Sequence, residues 1–208
     1  MSGNYRNSRT DKLQITWIPI YFRGRNNQGQ IGVTLCPGKY QPHSMSGGWN
    51  RDLELDVREL KYAKVGHVIS LITHQEMRQL KVTNLATKLD KYDISWHHLP
   101  TPDARVPDPR WTLKAIKVIV EIMANFHTGK RVVVHCKGGI SRAGMFACIT
   151  QWLLSDIEMS DAIELVRDRR DKRGINIEQE SYLMEFSENY QTWMQGTCRL
   201  DQWQEDMV

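Results

Sequence analysis

Apolar residues follow two alternating patterns along this chain. Short, nearly continuous apolar runs occur at Leu13 to Tyr21, Ile31 to Leu35, Val65 to Ile72, Ile94 to Leu99 and Arg131 to His135. Runs of that length, rich in Val and Ile, predict strands, and Pro19 places the first at a sheet edge. Between them lie longer stretches whose apolar residues recur every three or four positions, the mark of amphipathic helices. Arg51 to Lys64 carries Leu53, Val57, Leu60 and Ala63 on one stripe. Met77 to Lys91 predicts two helical pieces broken near Val82-Thr83, with Thr83 or Asn84 as cap. Arg110 to His127 has Ala115, Ile116, Ile119, Met123 and Phe126 at helical spacing, and Gly129 stops it. Further helices are predicted from about Ala143 to Leu154, with Met145, Cys148, Ile149 and Trp152 on one side. Another runs from Asp161 to Arg170 behind a Ser160 cap, and the last from Glu178 to Trp193. Strands alternating with helices predict a single α/β domain, its mainly parallel central sheet flanked by helices. The domain spans residues 13–195. Residues 1–12 read as a flexible lead-in, 39–50 as a surface loop and 196–208 as a polar tail.

The strand at Arg131 to His135 leads into Cys136-Lys137-Gly138-Gly139-Ile140-Ser141-Arg142, and a helix leads out. Strand, glycine loop and helix aim backbone N–H groups and a helix N-terminus at one anion. A cysteine at the base of such a loop is favoured as thiolate, the reactive form. Arg142 supplies a planar fork able to hold two phosphate oxygens. A nucleophile and an oxyanion clamp in one loop predict phosphoryl transfer through a cysteinyl-phosphate. Lys137, Gly138, Gly139, Ile140 and Ser141 then line the substrate phosphate.

Composition narrows the field. Of 208 residues, 40% are hydrophobic and 25% charged, as in ordinary globular domains. The net charge of +4 suits a phosphorylated substrate and is too small to argue for nucleic acid. Cys36, Cys136, Cys148 and Cys198 show no Cys-x-x-Cys spacing, so neither a zinc site nor a disulfide framework is indicated, and no cofactor is expected. No apolar run reaches membrane-spanning length. Nor does the N-terminus resemble a secretory signal. A thiolate enzyme belongs in a reducing compartment, the cytoplasm or the nucleus. His97 and His98 are adjacent on a predicted strand, point to opposite faces and cannot chelate one metal together.

A cysteine phosphatase also needs an acid for the leaving oxygen. Asp103 and Asp108 both lie in the proline-studded loop from Pro100 to Pro109. Asp108 directly precedes Pro109 and a long helix, so capping accounts for it. Asp103 has no such duty and is favoured as general acid, then base. Gln179 and Asn176 are candidates to position water, or are ordinary polar residues at a helix start. His135, next to the nucleophile, either orients the loop or bonds within the core.

These residues resemble the cysteine-based protein-tyrosine phosphatase superfamily, in its dual-specificity branch. His135 through Arg142 is similar to that branch's phosphate-loop signature. Outside the loop, Thr16-Trp17, Leu35-Cys36-Pro37-Gly38-Lys39, Arg51-Asp52-Leu53 with Asp56, Glu76 through Val82 to Leu85, Pro100 with Asp103, and Tyr182-Leu183 with Glu185-Phe186 resemble cyclin-dependent-kinase-associated phosphatases. The resemblance implies a dual-specificity-phosphatase-like fold. It implies metal-independent hydrolysis of phosphotyrosine and phosphoserine/threonine, with nucleophile Cys136, phosphate-binding Arg142, acid Asp103 and a protein kinase among the substrates. Ala143 departs from the family pattern, which has Ser or Thr after the loop arginine to help the thiolate leave. Two other readings stay open. One is a phosphate-reading binding module with feeble turnover, and the other a phosphatase of RNA 5′-triphosphate or phosphoinositide.

Overall fold

The computed structural model describes residues 5–22, 28–44, 47–126 and 129–190. Its main sheet has five strands in the order β1 (Thr16–Tyr21), β2 (Gln28–Thr34), β7 (Arg131–His135), β5 (Val65–Ser70) and β6 (Ser95–His98). The pairs β2–β7, β7–β5 and β5–β6 are parallel, while β1 runs antiparallel to β2. Pro19, which cannot donate to a ladder, lies on edge strand β1 as its chemistry requires.

Central strand β7 is buried from Val132 to His135. Its side chains alternate between the two faces. Val132 and Val134 join one apolar cluster and Val133 the other. The first cluster packs under α4 (Pro109–Phe126), α5 (Ser141–Leu154), α6 (Met159–Arg169) and a final helix, α7, at residues 177–190. The second packs under α1 (Leu53–Tyr62), α2 (His74–Gln79) and α3 (Leu85–Asp90). The chain is thus a single α/β domain of helices flanking a mainly parallel sheet.

Several elements differ from the sequence expectation. Every residue of α5 from Arg142 to Gln151 is buried, rather than one side of it. The first turn of α6 is entered at Glu158, and no side chain caps it. Helix α2 starts earlier than its apolar period suggests. Thr73 caps it, and the Glu76 carboxylate accepts from the Thr73 N–H in return. Asn84 precedes α3 without a side-chain cap bond. The stretch 39–50 contains a two-stranded ribbon, β3 (Tyr40–Gln41) with β4 (Trp49–Asn50). Arg6 is bonded to Gly48 and Asn50 beside it, so the chain is anchored well before residue 13. The end of the last predicted helix, with Trp193, and the whole tail lie outside the described residues.

Candidate active site

The loop after β7 sits where parallel strands deliver their C-terminal ends, beside the neighbouring strand ends that a ligand would meet. Cys136 lies at its base and is 4% exposed. The Gly139 N–H donates to its Sγ at 3.2 Å. Gly139 has φ +66, and a Cβ there would lie 2.3 Å from the Thr34 carbonyl, so only glycine fits. Gly138 is different: a Cβ would meet no protein atom within 4 Å, so packing does not demand glycine there. No side chain caps α5, which begins at Ser141. The first N–H groups of a helix have no partner within it.

His135 fixes the entrance to the loop. Trp96 Nε1–H donates to Ser70 Oγ at 2.7 Å, and Ser70 Oγ lies 2.6 Å from His135 Nε2. The Cys136 carbonyl, 3.3 Å from Nδ1, can only accept, so the neutral ring carries its proton on Nδ1 and Nε2 accepts from the Ser70 hydroxyl. The ring is fully buried, and burial pulls its pKa down to about 4. A neutral His135 thus both completes the core network and holds the nucleophile's peptide.

Arg142 is 0% exposed and held on several sides. Its two terminal nitrogens each donate to one Glu76 carboxylate oxygen at 2.8 Å. Nη1 also donates to the Thr101 carbonyl at 2.8 Å and the Leu71 carbonyl at 3.4 Å. Nη2 lies 3.1 Å from Asp103 Oδ1. Nε is buried without a partner. A guanidinium has five N–H groups in a rigid plane, and Nε with Nη2 forms one of its edges. Glu76 occupies the end of the fork, so the Nε–Nη2 edge is what remains for a substrate oxyanion, with Asp103 on one tooth of it.

Both loop carboxylates have clear positions. Asp108 caps α4, accepting from the Trp111 N–H at 2.7 Å. The side chain of Asp103 is 64% exposed and reaches Arg142 from a turn in which Ala104 has φ +55. Gln179 is fully buried beside the loop. Its Oε1 accepts from the Ser141 hydroxyl at 2.7 Å, while its Nε2 has no partner. Asn176 accepts from the Gln179 N–H at 2.8 Å and donates to the Ala104 carbonyl at 3.4 Å. The pair therefore ties the phosphate loop to the Asp103 turn.

Sequence reasoning missed Glu76 as a partner of Arg142. Glu76 lies just before the helix expected from Met77, and nothing local shows that its carboxylate reaches 66 residues along the chain. Cys36 and Cys148 are buried thiols whose pKa values burial drives up. Among the described residues no cluster of three His, Cys, Asp or Glu side chains could hold a metal, and no helix is long and apolar enough to cross a membrane.

Residues 6–163 match a family model described as cyclin-dependent kinase inhibitor 3 (CDKN3). The chain belongs to the cyclin-dependent kinase inhibitor 3 family. A relative of that name from Mus musculus is 29% identical over 187 residues, covering 88% of this chain and 82% of its own length. The Homo sapiens relative is 28% identical over 178 residues, covering 84% and 78%. The solved structure of a kinase-associated phosphatase, with serine replacing its catalytic-site cysteine, superposes with a TM-score of 0.74 at 25% identity, covering 86% of this chain and 96% of that one. By family and fold the chain is a phosphatase of the protein-tyrosine/dual-specificity type, akin to those associated with cyclin-dependent kinases.

Proposed function

We propose that the chain hydrolyses phosphoprotein monoesters, phosphotyrosine and phosphoserine/threonine, through a metal-independent cysteinyl-phosphate. The observation that carries this is the pairing of the Cys136 sulfur, under the Gly139 N–H, with an immobilised Arg142 that keeps an unpartnered Nε. The Cys136 thiolate attacks phosphorus, an S–P bond forms, and the bond to the leaving oxygen breaks as Asp103 protonates it. The Arg142 edge and the loop N–H groups hold the equatorial oxygens. Asp103 leaves Arg142 when the phosphate takes that edge, and is then close to the departing oxygen. In the second step water attacks phosphorus, Asp103 accepts its proton, and the S–P bond breaks to return the thiolate. The orphan Nε2 of Gln179, one hydrogen bond from Ser141, is suited to orient that water.

The names of the relatives tie them to cyclin-dependent kinases, and a phosphorylated protein kinase in the cytoplasm or nucleus is the substrate we propose. Burst kinetics with p-nitrophenyl phosphate test the reading. Steady turnover that Cys136→Ser abolishes is the expected result; no release of nitrophenol by the wild type, or turnover that survives Cys136→Ser, refutes it. One observation favours a second reading, a phosphate-binding module. Ala143 has no hydroxyl, and the Ser141 hydroxyl is already donated to Gln179 rather than free to assist the sulfur. A single rapid equivalent with almost nothing after it would decide for that module.

A further inference from the structure

Two cations outside the signature loop, the buried Lys39 and the half-buried Arg170, each grip one of its carbonyls. Arg170, at the end of α6, donates through Nε to the Gly139 carbonyl at 2.7 Å, and its Nη1 donates to Thr16 Oγ1 at 3.0 Å. Lys39, from the turn after β2, donates to the Lys137 carbonyl at 3.4 Å and is only 4% exposed. The Cys36 N–H approaches the same carbonyl at 3.5 Å. Among the described residues neither cation forms an ion pair with a carboxylate. A buried charge without a counter-ion is costly, and burial lowers the pKa of both.

In a planar trans peptide the C=O of one residue and the N–H of the next point in opposite directions. Anchoring the Lys137 carbonyl therefore turns the Gly138 N–H the other way, and anchoring the Gly139 carbonyl does the same for the Ile140 N–H. The Gly139 N–H already faces the Cys136 sulfur. From this geometry we infer that Lys39 and Arg170 are positioning residues for the phosphate loop, which hold the Gly138 and Ile140 N–H groups toward the incoming oxyanion. The inference rests on the phosphatase reading and extends it to two residues outside the signature. Both cations thus face the negative ends of loop peptides, and Arg170 also feels the nearby Asp171 carboxylate.

Vanadate binding to the full chain tests this without turnover. Lys39→Met and Arg170→Met each remove the charge and keep much of the volume. Each is expected to weaken vanadate binding about tenfold, the effect of losing one charge-assisted hydrogen bond. The melting temperature of the ligand-free protein is expected to hold or rise, because an unpaired desolvated charge is gone. Lys39→Arg and Arg170→Lys are expected to recover most of the affinity. In the wild type, the amide resonances of Gly138 and Ile140 shift on adding vanadate; in the Met variants those shifts shrink. Affinities within twofold of wild type overturn the inference. So does a loss of affinity matched by a loss of melting temperature, or failure of both Met variants to fold. A wild type that binds no vanadate sinks the phosphatase reading itself, and this inference with it.

Discussion

Glu76 is the test of how the phosphate clamp is built. Its carboxylate makes two bonds of 2.8 Å to an arginine with no solvent exposure, while the Glu76 side chain keeps 12% of its own. Gln in its place retains the shape but removes the charge, and sets an NH2 donor against one of the guanidinium N–H groups. Breaking a buried ion pair by changing one partner costs about 3–5 kcal/mol, and the residual exposure of Glu76 puts Glu76→Gln near about 3. Arg142 would keep the Thr101 and Leu71 carbonyls on Nη1 and, on Nη2, only the exposed Asp103 that the ligand displaces, so in the complex the plane is free to swing about the Nη1 corner. A reacting group misplaced by about 1 Å loses on the order of 10²-fold, and vanadate affinity should fall by that much. Thr73→Ala is the control: it removes the Thr73 half of the helix cap, at about 1 kcal/mol, and leaves the fork contacts in place. Urea unfolding and vanadate inhibition of p-nitrophenyl phosphate turnover read both effects. The wild-type protein should also lose this contribution in acid. Burial pushes the Glu76 pKa up, but the bonds from Arg142 and the Thr73 N–H outweigh it and hold it below its ordinary 4.5. Its stabilisation is complete above that value and is lost as pH falls through the lower, folded one; the Gln variant lacks this loss. A Glu76→Gln protein as stable as wild type, with unchanged vanadate affinity, refutes the idea that Glu76 aims the clamp.

Other outcomes follow from the same geometry. Asp103→Asn should lower kcat by about 10²–10⁴ with little change in melting temperature, whereas Asp108→Ala should cost about 1 kcal/mol of stability and keep turnover; the reverse pattern would exchange their roles. His135 stays neutral in the fold, with a pKa of about 4 against an ordinary 6.5, so the unfolded chain takes up a proton that the folded one refuses. Its contribution is complete above pH 6.5 and falls by about 2 kcal/mol between pH 6.5 and 5 in urea unfolding, a slope that His135→Gln should largely remove. Ala143→Ser should raise the steady rate that follows the burst about tenfold, the worth of one hydrogen bond to the departing sulfur; no change would mean that the hydroxyl is not what limits the second step.

Features with local signals were legible along the chain. Apolar runs marked the sheet strands, most plainly β5 and β7, because a central strand buried on both faces is apolar almost throughout. The spacing from Cys136 to Arg142, with its glycines, marked the loop. Asp108 before Pro109 announced itself as a cap, and its bond to the Trp111 N–H has the form such residues take. Tertiary structure decided what those side chains face. Helix α5 is buried on every side from Arg142 to Gln151 because it runs through the core, whereas its sequence predicts a single apolar side. The ribbon within 39–50 forms through bonds to Arg6, more than 40 residues away, so its own short segments carry almost no pattern. Glu76, Lys39, Arg170 and Gln179 come from four separate stretches and meet at one loop only after the sheet has brought its strand ends together. A capping glutamate and a surface-looking lysine read the same in sequence wherever they point. What they touch is set by long-range packing, and that information is spread over the whole fold rather than written beside each residue.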